Sequence, residues 1–308
     1  MKKCLVTKLN GSVSNTDLLK LGEIRFPFTE IANPTANNLK MELMFSKDSK
    51  VTVDGNGYFT DQNLSANNGK EVNFVAGARK SVILANKTCN VSILDKYSLQ
   101  SIDCFSKIAI PLDELAYSTN LTSLSLYDSK CYGNISFVKN LKKLDYLDCH
   151  NNRNIYGDIA AFSGHKTETV INFYDTNLSG NIESLNGMPS LREIHLYGTQ
   201  VGGNIDNLAD LPSLEKFFLY NTRILEGNIA SFAIFPRISE INVGNNKVTG
   251  YVKTLCENLH RNGRTTGTLT VRSGENTVKF DANTAMPSNN TVVATFSASG
   301  VTYDGGLS

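Results

Sequence analysis

Tyr127, Tyr174, Tyr197 and Tyr220 occupy one position of a recurring frame, and His150 fills the same position between the first two. The next position reads Asp128, Asn151, Asp175, Gly198, Asn221, Asn245, and a third reads Ser125, Asp148, Asn172, His195, Phe218, Asn242. Tyrosine joins a large, stiff ring to a hydroxyl, which suits the face of a sugar or a loop of protein. Amides and carboxylates alongside would add hydrogen bonds. The candidate ligand-binding residues are therefore Tyr127, Tyr174, Tyr197, Tyr220, His150, His195, Phe218, Asp175 and Asn221. A structural ladder stays open as the other reading, because tyrosine favours strands and stacks with itself along a sheet.

Catalysis would have to use His150 and His195 with Asp128, Asp148 or Asp175. Hydrolysis of a polysaccharide needs two carboxylates ~5–9.5 Å apart, one of them buried enough to act as an acid. Asp128 and Asp175 fall two rungs apart, ~9.6 Å at sheet spacing. Both sit in turns of exposed character, with nothing evident to raise a pKa. The sequence has no nucleophile elbow, phosphate-binding loop, zinc-protease motif or Cys–His constellation. Glycines near Asp and Asn lack the spacing of a calcium loop. The expectation is a protein that is not an enzyme, with no cofactor and no metal site.

These columns exist only if a repeat positions them. One segment reads Leu191-Arg192-Glu193-Ile194-His195-Leu196-Tyr197-Gly198-Thr199 and closes with Gly203-Asn204-Ile205. Another reads Leu214-Glu215-Lys216-Phe217-Phe218-Leu219-Tyr220-Asn221-Thr222 and closes with Gly227-Asn228-Ile229. The same frame starts at Leu99, Leu121, Leu144, Glu168 and Ile238, so successive starts lie 22 to 24 residues apart. Apolar first, fourth and sixth positions place alternate side chains on one face of a short strand. No single turn can bury that face, whereas stacked turns ~4.8 Å apart can. Ser129, Asn152, Thr176, Thr199, Thr222 and Asn246 stand where the chain bends, and their short polar side chains can satisfy main-chain groups there. Gly133, Gly157, Gly180, Gly203, Gly227 and Gly250 predict a tight turn or a positive φ in each repeat.

The LxxLxLxx(N/T/S) core with its GxI ending resembles the leucine-rich-repeat family, over residues 99–260. The resemblance implies a solenoid with a parallel β-sheet on its concave face, mostly turns and short irregular elements on its convex face, and β-rich flanks. It also implies that ligands meet the concave face. Within this frame Cys104 and Cys149 are inward-facing and two rungs apart. That is ~9.6 Å, beyond the ~7 Å limit of a disulfide, so they read as reduced core residues, as does Cys131.

Four regions follow. Residues 1–78 form a β-rich N-terminal region with a docking role, its runs at Leu39–Phe45, Val51–Val53 and Val72–Val75 separated by Gly- and Asn-rich turns. Residues 79–98 read as a transitional or capping rung, residues 99–251 as the solenoid, and residues 252–308 as a C-terminal cap. That cap combines a helix over Val252–Arg261 with strands at Thr268–Val271 and Val292–Phe296. Val51, Val72 and Val91 are spaced so that degenerate rungs remain an alternative to a separate β domain. The stretch from Val6 to Arg25 is similar to the opening of some Bacteroidales and phage-associated proteins that carry repeat or fibre domains.

Composition narrows the function classes. The 308 residues are 41% hydrophobic and 19% charged, with a net charge of +1 and no Trp. Neither that balance nor any basic run suits nucleic acid. No stretch offers the ~20 apolar residues of a membrane span, and the start lacks the ~7–15-residue apolar core of a signal peptide. Synthesis in the cytoplasm, with a virion or cell surface as the destination, is the expectation. The partners expected are a cell-surface glycan or protein at the concave face, other virion or surface-assembly proteins through residues 1–50, and further copies of the chain in an oligomer. The functional expectation is non-catalytic recognition, as a phage virion appendage or bacterial surface adhesin. The alternative is a structural protein of a larger particle that uses the solenoid as a rigid spacer.

Overall fold

The structure is a computed structural model that describes residues 24–27, 40–59, 70–93, 96–104, 110–274, 277–304 and 307. The segment resembling phage-associated proteins lies almost wholly outside these residues, as does Cys4.

Each repeat begins with a short strand whose alternation is set by its apolar positions. Leu191, Ile194 and Leu196 are fully buried, while Glu193 and His195 between them are half-buried on the opposite face. The strands Leu99–Cys104, Ser123–Ser125, Tyr146–Asp148, Val170–Asn172, Glu193–His195, Lys216–Phe218 and Glu240–Asn242 pair in chain order, all parallel. Ser125, Asp148, Asn172, His195, Phe218 and Asn242 are successive partners in this register, so the column read from the sequence is a physical one. The sheet runs one rung further than residue 251, because Thr268–Arg272 pairs parallel to Glu240–Asn242.

The bend after each strand is held by the anticipated polar ladder. Asn152 Nδ2 donates to the Leu126 carbonyl of the preceding rung and to the Cys149 carbonyl of its own, at 2.8 and 3.0 Å. Its Oδ1 accepts from the Cys131 N–H at 3.1 Å. Thr176 donates within its own rung to the Phe173 carbonyl at 2.7 Å, and Ser129 does the same to the Leu126 carbonyl at 2.7 Å while its hydroxyl also meets Asn152 Oδ1 of the next rung at 3.0 Å. Buried main-chain groups are thereby paired, where each left bare would cost ~1–3 kcal/mol.

The opposite side of the solenoid differs from the irregular turns expected there. It carries a second parallel sheet of seven strands, from Tyr132–Asn134 through Asn154–Asp158, Asn177–Asn181, Gln200–Asn204, Leu225–Asn228 and Lys247–Tyr251 to Thr277–Lys279. Short 3-10 turns follow, such as Ile182–Leu185 and Ile205–Asn207. The repeated glycines hold positive φ, +109° at Gly180 and +117° at Gly203, as their recurrence predicted. A second contact fixes them as glycine. Asn134 Oδ1 accepts the Ser136 N–H at 2.8 Å and also lies 2.8 Å from where a Cβ on Gly157 would stand. Asp158, Asn181, Asn204 and Asn228 cap their own 3-10 turns and crowd the next rung's glycine in the same way.

One inward position departs from the pattern. Glu168 stands where other rungs have Leu or Ile, and its carboxylate is hydrogen-bonded to His165 Nδ1 with both side chains fully buried. Phe162 packs edge-on to the His165 ring at 5.9 Å.

Both ends are closed by antiparallel strands. Lys40–Phe45 lies against the first rung, and the long strand Lys80–Ile93 pairs antiparallel with it and with Ser49–Phe59. Ser49–Phe59 in turn pairs antiparallel with Lys70–Phe74, so Val51 and Val72 face each other across a ladder. The valine spacing is therefore not a rung repeat, and a 14-residue antiparallel strand takes the place of the transitional rung expected at 79–98. At the other end a ten-residue helix, α1 (Val252–Arg261), buries Val252, Leu255, Cys256 and Leu259. Thr291–Ser297 and Gly300–Tyr303 extend the main sheet antiparallel beyond Thr268–Arg272. Cys104, Cys131, Cys149 and Cys256 are buried.

Candidate binding face

The solvent face of the main sheet gathers the predicted residues into adjacent columns. Tyr127, His150, Tyr174, Tyr197 and Tyr220 form one unbroken stack of rings. Successive centroids are 4.9, 4.1, 4.3 and 4.2 Å apart, and no interplanar angle exceeds 18°. Rungs ~4.8 Å apart impose this spacing, because identical positions on parallel strands lie directly above one another. All five side chains are half-buried.

Stacking changes what the column can offer. Each internal ring is covered on both faces by its neighbours, so a ligand meets ring edges and hydroxyls along the track. Burial first, then the neighbouring Tyr220 and Tyr174 hydroxyls, hold the Tyr197 hydroxyl well above the usual tyrosine range. Burial likewise raises Tyr127, Tyr174 and Tyr220.

The column beside it answers to the backbone. Asp128, Asn151, Asp175, Asn221 and Asn245 have φ between +51° and +60°, and Gly198 has +68°. Asn, Asp and Gly tolerate this left-handed region best. Asn151 Nδ2 donates to Asp128 Oδ1 at 2.7 Å and Asn245 Nδ2 to Asn221 Oδ1 at 2.5 Å, a side-chain ladder along the turns. Asp175 and Asn221 are thus turn-forming residues at the border of the face.

In the third column, His195 and Phe218 meet edge to face at 4.9 Å. His195 Nε2 lies 3.0 Å from Glu193 Oε2, and Lys216 Nζ lies 3.1 Å from Glu193 Oε1. Burial opposes ionisation of Glu193, yet these two partners bring its pKa below the usual carboxylate value. His150 Nδ1 and Asp148 Oδ1 are 2.5 Å apart, and Tyr146 donates to Asp148 Oδ2 at 3.3 Å. Burial and then the Asp148 carboxylate push the Tyr146 hydroxyl up to about 12. Sequence reading missed the fourth column, Ser123, Tyr146, Val170, Glu193, Lys216 and Glu240. Its signal was available, since each residue precedes its third-column neighbour by two and so shares the face.

Asp148 is nearly buried and engaged by His150 and Tyr146, whereas Asp128 is exposed and bound to Asn151. The arrangement orders side chains for contact, through hydroxyl edges, imidazoles and an ion-paired rim. Among the described residues, no group of three His, Cys, Asp or Glu side chains is placed to hold a metal ion, and no helix is long and apolar enough to cross a membrane.

Parallel strands stacked at a period of 22 to 24 residues, an inward L-x-x-L-x-L frame and a polar bend ladder decide the fold. It is a leucine-rich-repeat solenoid. No family model and no curated protein matches the sequence. Solved structures similar to this solenoid include a plant ice-binding protein, at 19% identity and a TM-score of 0.46, covering 59% of this chain and 58% of that one. The Arabidopsis receptor kinase HAESA leucine-rich-repeat ectodomain, in complex with an extended IDA peptide hormone, gives 21% identity and a TM-score of 0.44, over 56% of this chain and 29% of its own. A Leptospira interrogans leucine-rich-repeat protein gives 18% identity and a TM-score of 0.44, over 54% and 40%. The chain thus covers less than two thirds of the length of each.

Proposed function

We propose that this protein is a non-catalytic recognition protein that binds a cell-surface glycan or protein on the solvent face of its main sheet. The observation that carries this reading is the row of five stacked, half-exposed rings beside His195 and Phe218. Mutual packing fixes these side chains before any partner arrives, so little rotamer entropy is lost on contact. The sequence of residues 6–25 favours a setting in a phage virion appendage or a bacterial surface adhesin.

A rigid spacer in a larger particle is the second reading. It is favoured by one specific feature, that the rings cover each other's faces and so stiffen the rungs. The test is binding of purified protein to intact Bacteroidales cells and their capsular polysaccharides, with Tyr197→Ala/Tyr220→Ala in parallel. Recognition through this face predicts saturable binding that the double variant loses while its circular dichroism and melting are kept. Binding that survives in the double variant would sink the proposal.

A further inference from the structure

We infer that the groove between α1 and the last strand of the main sheet takes an extended peptide segment of a partner protein. The segment adds to that strand's open edge and turns an acidic–x–basic–x–acidic face to α1. The site lies at the C-terminal end of the solenoid, apart from the ring stack, and stands whether or not that face binds a ligand.

Gly300–Tyr303 pairs antiparallel with Thr291–Ser297 and ends the main sheet, so among the described residues no strand covers its outer side. An edge strand aims half of its main-chain N–H and C=O groups outward, a template for one more strand. Charged side chains, Pro or a bulge usually blunt such an edge. Thr277–Lys279, the edge of the second sheet at the same end, carries the exposed Lys279. Gly300–Tyr303 has no charged residue and no Pro, and it pairs without a register shift.

A groove of about 810 Å³ runs beside this strand, lined by Gly300 through Tyr303, by one side of α1 and by Leu307. Val301 and Tyr303, which pack against the core, and the exposed Thr302 line it alike. The groove therefore follows the strand's edge rather than one of its faces. A strand edge walled by a helix is a recurring way to hold an extended peptide, with main-chain pairing for affinity and the wall for choice.

The wall decides the occupant's charge. Lys253, Glu257 and Arg261 line the groove from α1 and stand four residues apart, so they follow one another at ~6 Å. Charge along the wall thus alternates plus, minus, plus. Every second residue of a strand falls on one face at ~6.6–6.8 Å, which matches that spacing over three positions. An acidic, basic, acidic face is complementary at each one, and it reads the same in a parallel or an antiparallel strand. An all-acidic face would set a carboxylate against Glu257, and a basic, acidic, basic face would oppose every charge on the wall. Arg261 Nη1 donates to Asn258 Oδ1 at 2.9 Å, which leaves its other N–H donors for a carboxylate. His260 adds no charge to this count, since its Nε2 lies 3.0 Å from the Ser297 carbonyl.

The test uses the full chain and fluorescein-labelled heptapeptides of Thr and Val. One peptide carries Glu, Lys and Glu at its second, fourth and sixth positions, another carries Glu at all three, and a third carries Lys, Glu and Lys. A fourth repeats the first with methylated main-chain nitrogens. Fluorescence anisotropy at low salt reads affinity, and hydrogen exchange reads location. The Glu-Lys-Glu peptide is expected to saturate below millimolar concentration. It should bind about ten-fold tighter than the Lys-Glu-Lys and methylated peptides, and about three-fold tighter than the all-Glu peptide. Its binding should slow exchange in Gly300–Tyr303 and leave Tyr146–Asp148 unchanged. Glu257→Lys alters an exposed position, should melt as the parent does, and should reverse the order of the Glu-Lys-Glu and all-Glu peptides. Equal binding of the methylated peptide, an unchanged order in Glu257→Lys, or no binding at millimolar concentration would each overturn the inference. So would a parent dimer in sedimentation whose Gly300–Tyr303 amides are protected before any peptide is added, because a second copy would then be the occupant.

Discussion

His165 and Glu168 meet through one hydrogen bond in a site from which both side chains are wholly excluded from solvent. The pair stands where other rungs bury two apolar residues three apart, as at Leu141 and Leu144 or Met188 and Leu191. Their outer atoms, His165 Nε2 and Glu168 Oε2, have no partner among the described residues. Removing one member leaves a buried polar or charged group alone, which costs about 3–5 kcal/mol, whereas replacing both with apolar groups is often neutral or stabilising. Glu168→Ala is expected to lower unfolding free energy by that amount in urea titrations. His165→Phe/Glu168→Leu is expected to melt at or above the parent. A double variant as unstable as the single would show that the pair is needed for packing.

A reciprocal test applies to the second sheet. Asn181 caps the turn that follows it by accepting the Glu183 N–H at 3.0 Å, and the same oxygen crowds Gly203 in the next rung. Asn181→Ala is expected to cost about 1 kcal/mol, the usual worth of such a cap. Gly203→Ala is expected to cost about 1–3 kcal/mol, since its φ of +117° strains any side chain and the new methyl meets Asn181. The two should be less than additive, because the first substitution removes the atom that the second collides with. Strict additivity in a double-mutant cycle would exclude the contact.

The tyrosine stack makes stability depend on alkaline pH. Native Tyr197 and Tyr146 hold their phenolic protons above the usual value of 10.0, so the fold binds those protons more tightly than the unfolded chain does. Their contribution is fully present below pH 10.0 and is lost as pH rises through the higher native values. Tyrosinate absorbance should show a class of residues titrating late, reduced by Tyr197→Phe and by Tyr146→Phe. Melting temperature should fall above pH 10.0, less steeply in Tyr197→Phe than in the parent. A single titration at the ordinary value in folded protein would contradict the half-buried stack.

The repeat and its columns were legible because spacing in the chain becomes stacking in space. Ser125 through Asn242 were read as one column and are successive strand partners. The second sheet was not legible, since a strand such as Gln200–Asn204 has two adjacent glycines and buries Val201 as its one large side chain. Alternation cannot show in so short a pattern. Asp128 and Asp175 were weighed as carboxylates when their shared demand was a left-handed backbone, and the Asp/Asn/Gly mixture along that column was the sign. Val51, Val72 and Val91 imitated the period by chance of length, because strand direction leaves no mark on residue spacing. Ring planes, and hence the covering of one tyrosine's face by the next, follow from side-chain torsions that the sequence does not specify.

The contact between each capping Asn or Asp and the glycine of the following rung gives the array a direction. A unit taken from Ile182 to Asn204 presents a glycine to the neighbour behind it and a cap to the neighbour ahead. Such a unit can be copied end to end without creating a new kind of junction, so the array can lengthen by whole units through duplication of its coding segment. It cannot be reversed, and it stops where the series ends. At Tyr251 the capping hydrogen bond is missing and α1 replaces the 3-10 turn. The length of the array is therefore a countable, heritable quantity, set by how many units precede that stop.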